Sequence, residues 1–164
     1  PAPAGPPGGL TRGMERQEGK NRTLMQVLTY AGALPFLAGA SCHMTGYGDV
    51  NAANLTCYWA FTILMFMAGT LWGIQVVAPQ KVSPNLLIAS NAVVLATWAA
   101  LWFVPFNEAA LLFAIGFGVL LWLDRRAMEA GATDAHYATM RTQVTAFVIA
   151  CLVLIAVVPM GAIG

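Results

Sequence analysis

Charge is what this 164-residue chain has least of: eight basic and seven acidic residues, 9% of the sequence, against about 25% in ordinary soluble domains. So few charges cannot cover the surface of a soluble protein of this size, which argues against a soluble enzyme. The formal net charge is +1, so no overall field draws nucleic acid or an acidic partner. Three cysteines, Cys42, Cys57 and Cys151, are too few and too scattered for a disulfide framework, and no C-x-x-C spacing suggests a metal. Cys42 and Cys57 bracket one loop and would pair only in an oxidising compartment; free thiols are the expected state. There is no nucleophile–base arrangement and no phosphate loop. No catalytic residue, metal site or resident cofactor is expected.

What is abundant is apolar. Hydrophobic residues make up 59% of the chain and the mean hydropathy is +0.69. They fall into five continuous runs, at about 24–44, 55–78, 86–104, 109–123 and 144–163. Most reach the roughly 20 residues that cross about 30 Å of hydrocarbon as a helix. They do not alternate as barrel strands would. The expected fold is all-α: a polytopic membrane protein with five transmembrane helices over residues 23–164, preceded by an extended Pro/Gly-rich and charged tail, 1–22. The first run has full membrane length and no cleavage site, so it reads as a span rather than a secretory signal.

Local signals set the expected boundaries. Thr23 with Gln26 has the capping-box spacing for the first helix. Ser83-Pro84 offers an N-cap and a first-turn proline for the third, and Asn107-Glu108 a cap for the fourth. The fourth helix is expected to run past the membrane to a stop at Gly131. Thr133 or Asp134 then caps a short helix carrying Tyr137 and Arg141.

The basic residues all fall on one side of this topology: Arg12, Arg16, Lys20 and Arg22 in the tail, Lys81 after the second helix, and Arg125, Arg126 and Arg141 around the fourth loop. The opposite loops hold only Asp49 and Glu108. By the positive-inside rule the N-terminus faces the matrix or cytoplasm. Trp59 and Trp102 lie near the outer ends of their helices and Trp72 and Trp122 near the inner ends, as interfacial belts require, while Trp98 is expected in the core.

The string His43-Met44-Thr45-Gly46-Tyr47-Gly48-Asp49 is similar to a potassium-channel filter but lacks a residue between threonine and the first glycine, and no pore helix precedes it. It reads as a turn. Gly69 and Gly73 form a G-x-x-x-G pair, expected to pack helices inside the monomer rather than to make a dimer, with Ala114 and Gly118 serving the fourth helix similarly. The helix interiors read as free of ionisable residues, with Gln75 the nearest strongly polar group, which weighs against an ion-coupled carrier. His43 and His136 lie on opposite sides, so they cannot share a haem; each is expected at an interface. Arg125, Arg126 and Arg141 are candidates for anionic lipid headgroups such as cardiolipin, or they only fix topology.

With the spans in place, the chain resembles domain-of-unknown-function family 3429, the family of transmembrane protein 69. The residues that carry the resemblance are Tyr30-Ala-Gly-Ala-Leu-Pro35-Phe36, Gly69-x-x-Trp72-Gly73, Leu123-Asp124-Arg125-Arg126-Ala127 and His136-Tyr137 followed by Arg141-x-x-x-Thr145. Two positions depart from the family pattern: Leu71 stands where a histidine is usual before Trp-Gly, and Asn91 where a proline is usual. The resemblance implies five helices in a mitochondrial inner membrane, or alternatively a bacterial one, and no established activity.

The expected function is a non-catalytic accessory subunit of a multi-subunit inner-membrane complex of the respiratory chain. It would pack helices and lipid against other membrane subunits and dock its tail on neighbours. The alternatives are a small transporter or channel built around the Pro35-interrupted first helix, and a transient assembly factor.

Overall fold

The computed structural model describes residues 8–47, 49–78, 85–133 and 135–163. Among these, the regular elements are five α-helices: α1 (Gly8–Thr45), α2 (Asp49–Val77), α3 (Leu86–Phe103), α4 (Phe106–Glu129) and α5 (Ala135–Val157). Each contains a stretch long and apolar enough to cross a membrane: Gly19–Thr45, Asn54–Val77, Leu86–Phe103, Phe106–Glu129 and His136–Val157. No strand occurs among the described residues. The expected all-α fold of five membrane helices is the observed one.

The chain divides into two units, residues 1–32 and 33–164. In the first, the backbone is already helical from Gly8, so 8–22 are not the extended tail the composition suggested. Thr23 therefore caps nothing: its hydroxyl donates to the Gly19 carbonyl one turn back, at 3.1 Å, inside a continuing helix. Pro1 to Pro7 lie outside the described residues. Pro35 does not interrupt α1 either.

In the second unit α4 packs on α2, α3 and α5, and α2 also on α3. Its core is Leu64 and Leu71 from α2, Leu86 from α3, Phe113, Phe117, Leu120 and Leu123 from α4, and Leu152 from α5. Phe36 meets Phe117 edge to face with ring centroids 6.1 Å apart, a geometry aromatic pairs favour. Trp98 is not core: it is half exposed and leans on Trp102 at 6.4 Å.

Helix ends divide into those the sequence marks and those it does not. Gly131, at φ 70°, ends α4 as expected. Its amide donates to Met128 O and that of Ala132 to Ala127 O, which satisfies two of the carbonyls in the last turn of the helix. The cap of α3 is Asn85, whose side chain accepts from the Leu87 and Ile88 amides; Ser83 and Pro84 lie outside the described residues. Helix α4 starts at Phe106 after Pro105, with no side-chain cap, so Asn107 and Glu108 sit inside its first turn. Thr133 makes no capping bond, Asp134 lies outside the described residues, and the expected short helix is the start of α5. Helix α5 stops at Val157 because Val158 precedes Pro159, which disfavours helical backbone at Val158.

Candidate functional site: a buried ion pair across three helices

At the end of the second unit where α2 and α4 finish and α3 and α5 begin, two charged side chains are buried. Asp124 of α4 is 3% exposed and Arg141 of α5 is 8% exposed. Arg141 Nε donates to Asp124 Oδ2 at 2.9 Å. Its Nη2 donates to Thr70 Oγ1 of α2 at 3.1 Å and, more weakly, toward the Met67 carbonyl at 3.5 Å. Thr70 in turn donates its hydroxyl proton to Met67 O at 2.7 Å. The guanidinium lies over the Tyr137 ring, 5.7 Å from its centroid, a cation–π contact. We call this the arginine end.

This corrects two expectations. The helix interiors do contain ionisable residues, and Arg141 is not a headgroup ligand but half of a buried pair. The neighbouring arginines do face outward. Arg125 is exposed, and Arg126 pairs loosely with Glu129 at 3.9 Å while lying over Trp122 at 5.3 Å. A single helix can present both characters because one residue is a 100° rotation. Asp124 shares a stripe with Phe113, Phe117, Leu120 and Ala127, all buried, and the arginines point away from it. Arg141 likewise falls on the stripe of Ala138, Thr145, Val148 and Leu152. That periodicity is the signal that could have found the pair.

Gln75 of α2 is also buried, and its Oε1 accepts from the Leu86 amide at 3.0 Å. A side chain of one helix thus satisfies an orphan amide at the start of the next.

The opposite end is organised around His43, which is 4% exposed rather than interfacial. Its Nε2 bonds the Val158 carbonyl at 2.8 Å and its ring lies 6.2 Å from that of Phe106. A carbonyl only accepts, so Nε2 carries the proton. The Gly161 amide donates to His43 O at 2.9 Å and the Ile163 amide to Met44 O at 3.1 Å. The chain after α5 therefore satisfies the terminal carbonyls of α1. Gly46, at φ 70°, makes the turn expected of its string, and a Cβ there would come within 3.3 Å of Gly161 Cα. Gly48 lies outside the described residues, and His136 is exposed. Cys42, Cys57 and Cys151 are free thiols.

The small residues pack otherwise than expected. Ala114 is buried, but Gly69, Gly73 and Gly118 have open space where a Cβ would stand. Gly116 does the packing on α4, with a Cβ site 3.0 Å from Leu64 Cδ1 and 3.1 Å from Thr97 Cγ2. On α1 it is Gly39, whose Cβ site is 2.9 Å from Thr56 Cγ2. A shallow cleft of about 70 Å³ lies among Asn54, Cys57, Tyr58, Leu101 and Phe106, far below the roughly 300 Å³ of a small-molecule site. Among the described residues no three His, Cys, Asp or Glu side chains gather to hold a metal ion.

Five membrane-length helices closed by a buried ion pair define an integral membrane protein. The family described as "Protein of unknown function (DUF3429)" matches residues 21–157, and the chain belongs to it. No curated protein and no solved structure matches. Three of the segments that carried the resemblance, around Gly69, Asp124 and Arg141, meet in space at the arginine end.

Proposed function

We propose that this chain is a non-catalytic accessory subunit of a multi-subunit inner-membrane complex of the respiratory chain, with its N-terminus on the matrix or cytoplasmic side. The observation that carries the reading is the outer face of α2. Gly69 and Gly73 lie one turn apart there with open space at both Cβ positions, beside exposed Phe66, Trp72 and Val76. Paired glycines let another helix backbone approach closely, which in lipid replaces the hydrophobic drive of water. Beside that face, Thr70 of α2 is bonded to Arg141 of α5, which in turn pairs with Asp124 of α4. The chain thus combines a fixed interior with an open, small-residue exterior, as a space-filling subunit needs. Exposed Arg125 and Arg126 offer cations to anionic headgroups at the same end.

Native electrophoresis of membranes solubilised in mild detergent, with mass spectrometry of the bands, tests this. The chain is expected to comigrate with a mature complex at constant ratio, and Gly69→Ile with Gly73→Ile should release it while the monomer stays folded. Migration only as a monomer or homo-oligomer would contradict the reading; presence only in immature complexes would make it an assembly factor.

A second reading, a small transporter, is favoured by one observation: the buried Asp124–Arg141 pair, since ionisable groups at membrane depth commonly line ion and proton routes. Transport by the purified chain in liposomes, abolished by Asp124→Asn, would select it.

A further inference from the structure

The Asp124–Arg141 pair is incompletely bonded. Asp124 Oδ2 accepts a hydrogen bond from Arg141 Nε, but Oδ1 is buried and no donor among the described residues reaches it. Arg141 Nη2 turns to Thr70 Oγ1 and the Met67 carbonyl, and the Thr70 hydroxyl donates to the same carbonyl, so neither serves Oδ1. An ionised carboxylate accepts at both oxygens, and leaving one bare in a buried site carries a desolvation penalty that nothing in the pair repays.

The chemistry of the site restricts what can repay it. The charge of Asp124 is already balanced by Arg141, so a second cation at Oδ1 would face the guanidinium and be repelled. A neutral donor meets no such cost. Leu120, Leu123 and Ala127, the neighbours of Asp124 along α4, are fully buried, so the group that serves Oδ1 sits inside the bundle and a single small molecule suits it best. Buried waters serve otherwise unsatisfied polar groups in this way. Asp124 is five residues from Glu129, the last residue of α4, so water has about 8 Å to travel along the helix from the arginine end.

We propose that Asp124 Oδ1 is a binding site for one buried water molecule, which completes the polar cluster of Asp124, Arg141 and Thr70 at the junction of α2, α4 and α5. The inference holds for an accessory subunit and for a transporter alike. It makes this junction a hydrated contact whose hydrogen bonds exchange with the aqueous phase, unlike the dry aromatic packing of Phe36, Phe113 and Phe117.

Water-edited solid-state NMR on the labelled full chain in phospholipid vesicles tests it without a mutation. Magnetisation from water is expected to reach the Asp124 carboxyl carbon several-fold faster than the Thr97 side chain, which is equally buried at 3% and has its hydroxyl satisfied by Val93 O and Val94 O. Transfer to Asp124 as slow as to Thr97 would overturn the proposal. So would a carboxyl shift typical of the protonated acid, because a proton rather than water would then occupy Oδ1. The variant Asp124→Asn, which keeps an acceptor for Arg141 and can still bond water, should retain fast transfer at its side-chain amide; loss of it in a folded variant counts against the site.

Discussion

The two ends of the bundle solve one problem by different means. Each must close over polar groups that lipid cannot satisfy. The arginine end does it with formal charges: one guanidinium reaches from α5 to a carboxylate on α4 and a hydroxyl on α2. The histidine end does it with the backbone: three peptide groups after α5, at Val158, Gly161 and Ile163, bond His43 and Met44 at the end of α1. The difference is in what failure costs. A buried charge that loses its partner is stranded in a low-dielectric interior, whereas a frayed backbone turn near a helix end can find water. The arginine end should therefore be the rigid, all-or-none half of the structure, and the histidine end the graded one.

Substitutions at the two ends measure that contrast. Arg141→Ala leaves Asp124 as an unpaired buried charge and should cost about 3–5 kcal/mol, read as loss of the folded fraction in thermal unfolding in detergent. A cost below that at the other end would break the symmetry in the expected direction: His43→Phe removes one hydrogen bond, worth about 0.5–1.5 kcal/mol net. Its sharper readout is hydrogen exchange, with the Gly161 and Ile163 amides losing protection while those around Asp124 keep theirs.

Between the ends, the glycines separate packed from open faces. Gly116→Ala forces a methyl toward Leu64, Thr97 and Val93 and should destabilise by about 1–3 kcal/mol. Gly69→Ala meets nothing within 4 Å and should stabilise the isolated chain by up to about 1 kcal/mol through helix propensity. Matched thermal melts check both signs. An effect of comparable size is expected for Asn85→Ala, which removes the side-chain cap of α3 at a cost of about 1 kcal/mol. It should leave the migration of the chain in native electrophoresis unchanged.

The spans were legible from the sequence because each is a continuous apolar run, and length alone identifies such a helix in lipid. Gly131 was legible because a left-handed residue at a helix end has few substitutes. The buried pair was hidden by its neighbours. Asp124 beside Arg125 and Arg126 reads linearly as an interfacial cluster, and only the angular position around α4 separates the carboxylate from the arginines. Arg141 was hidden by a boundary: with the fifth helix expected to begin near Val144, it falls on a short helix outside the spans. His43 reads as an interface residue because its partner, Val158, lies 115 positions away and no local pattern joins them. The G-x-x-x-G pair was seen, but its direction was misread, since spacing shows that two glycines share a face without showing which face.

A double-mutant cycle between Asp124 and Arg141 tests the central structural claim most directly. Asp124→Leu and Arg141→Met, singly and together, would be compared by reversible unfolding in the same detergent. If the two charges hold each other across α4 and α5, the double variant loses less stability than the sum of the singles, with a coupling in the range of about 0.5–3 kcal/mol or above. Strictly additive losses would mean that the charges do not meet, and the account of the arginine end would fail with them.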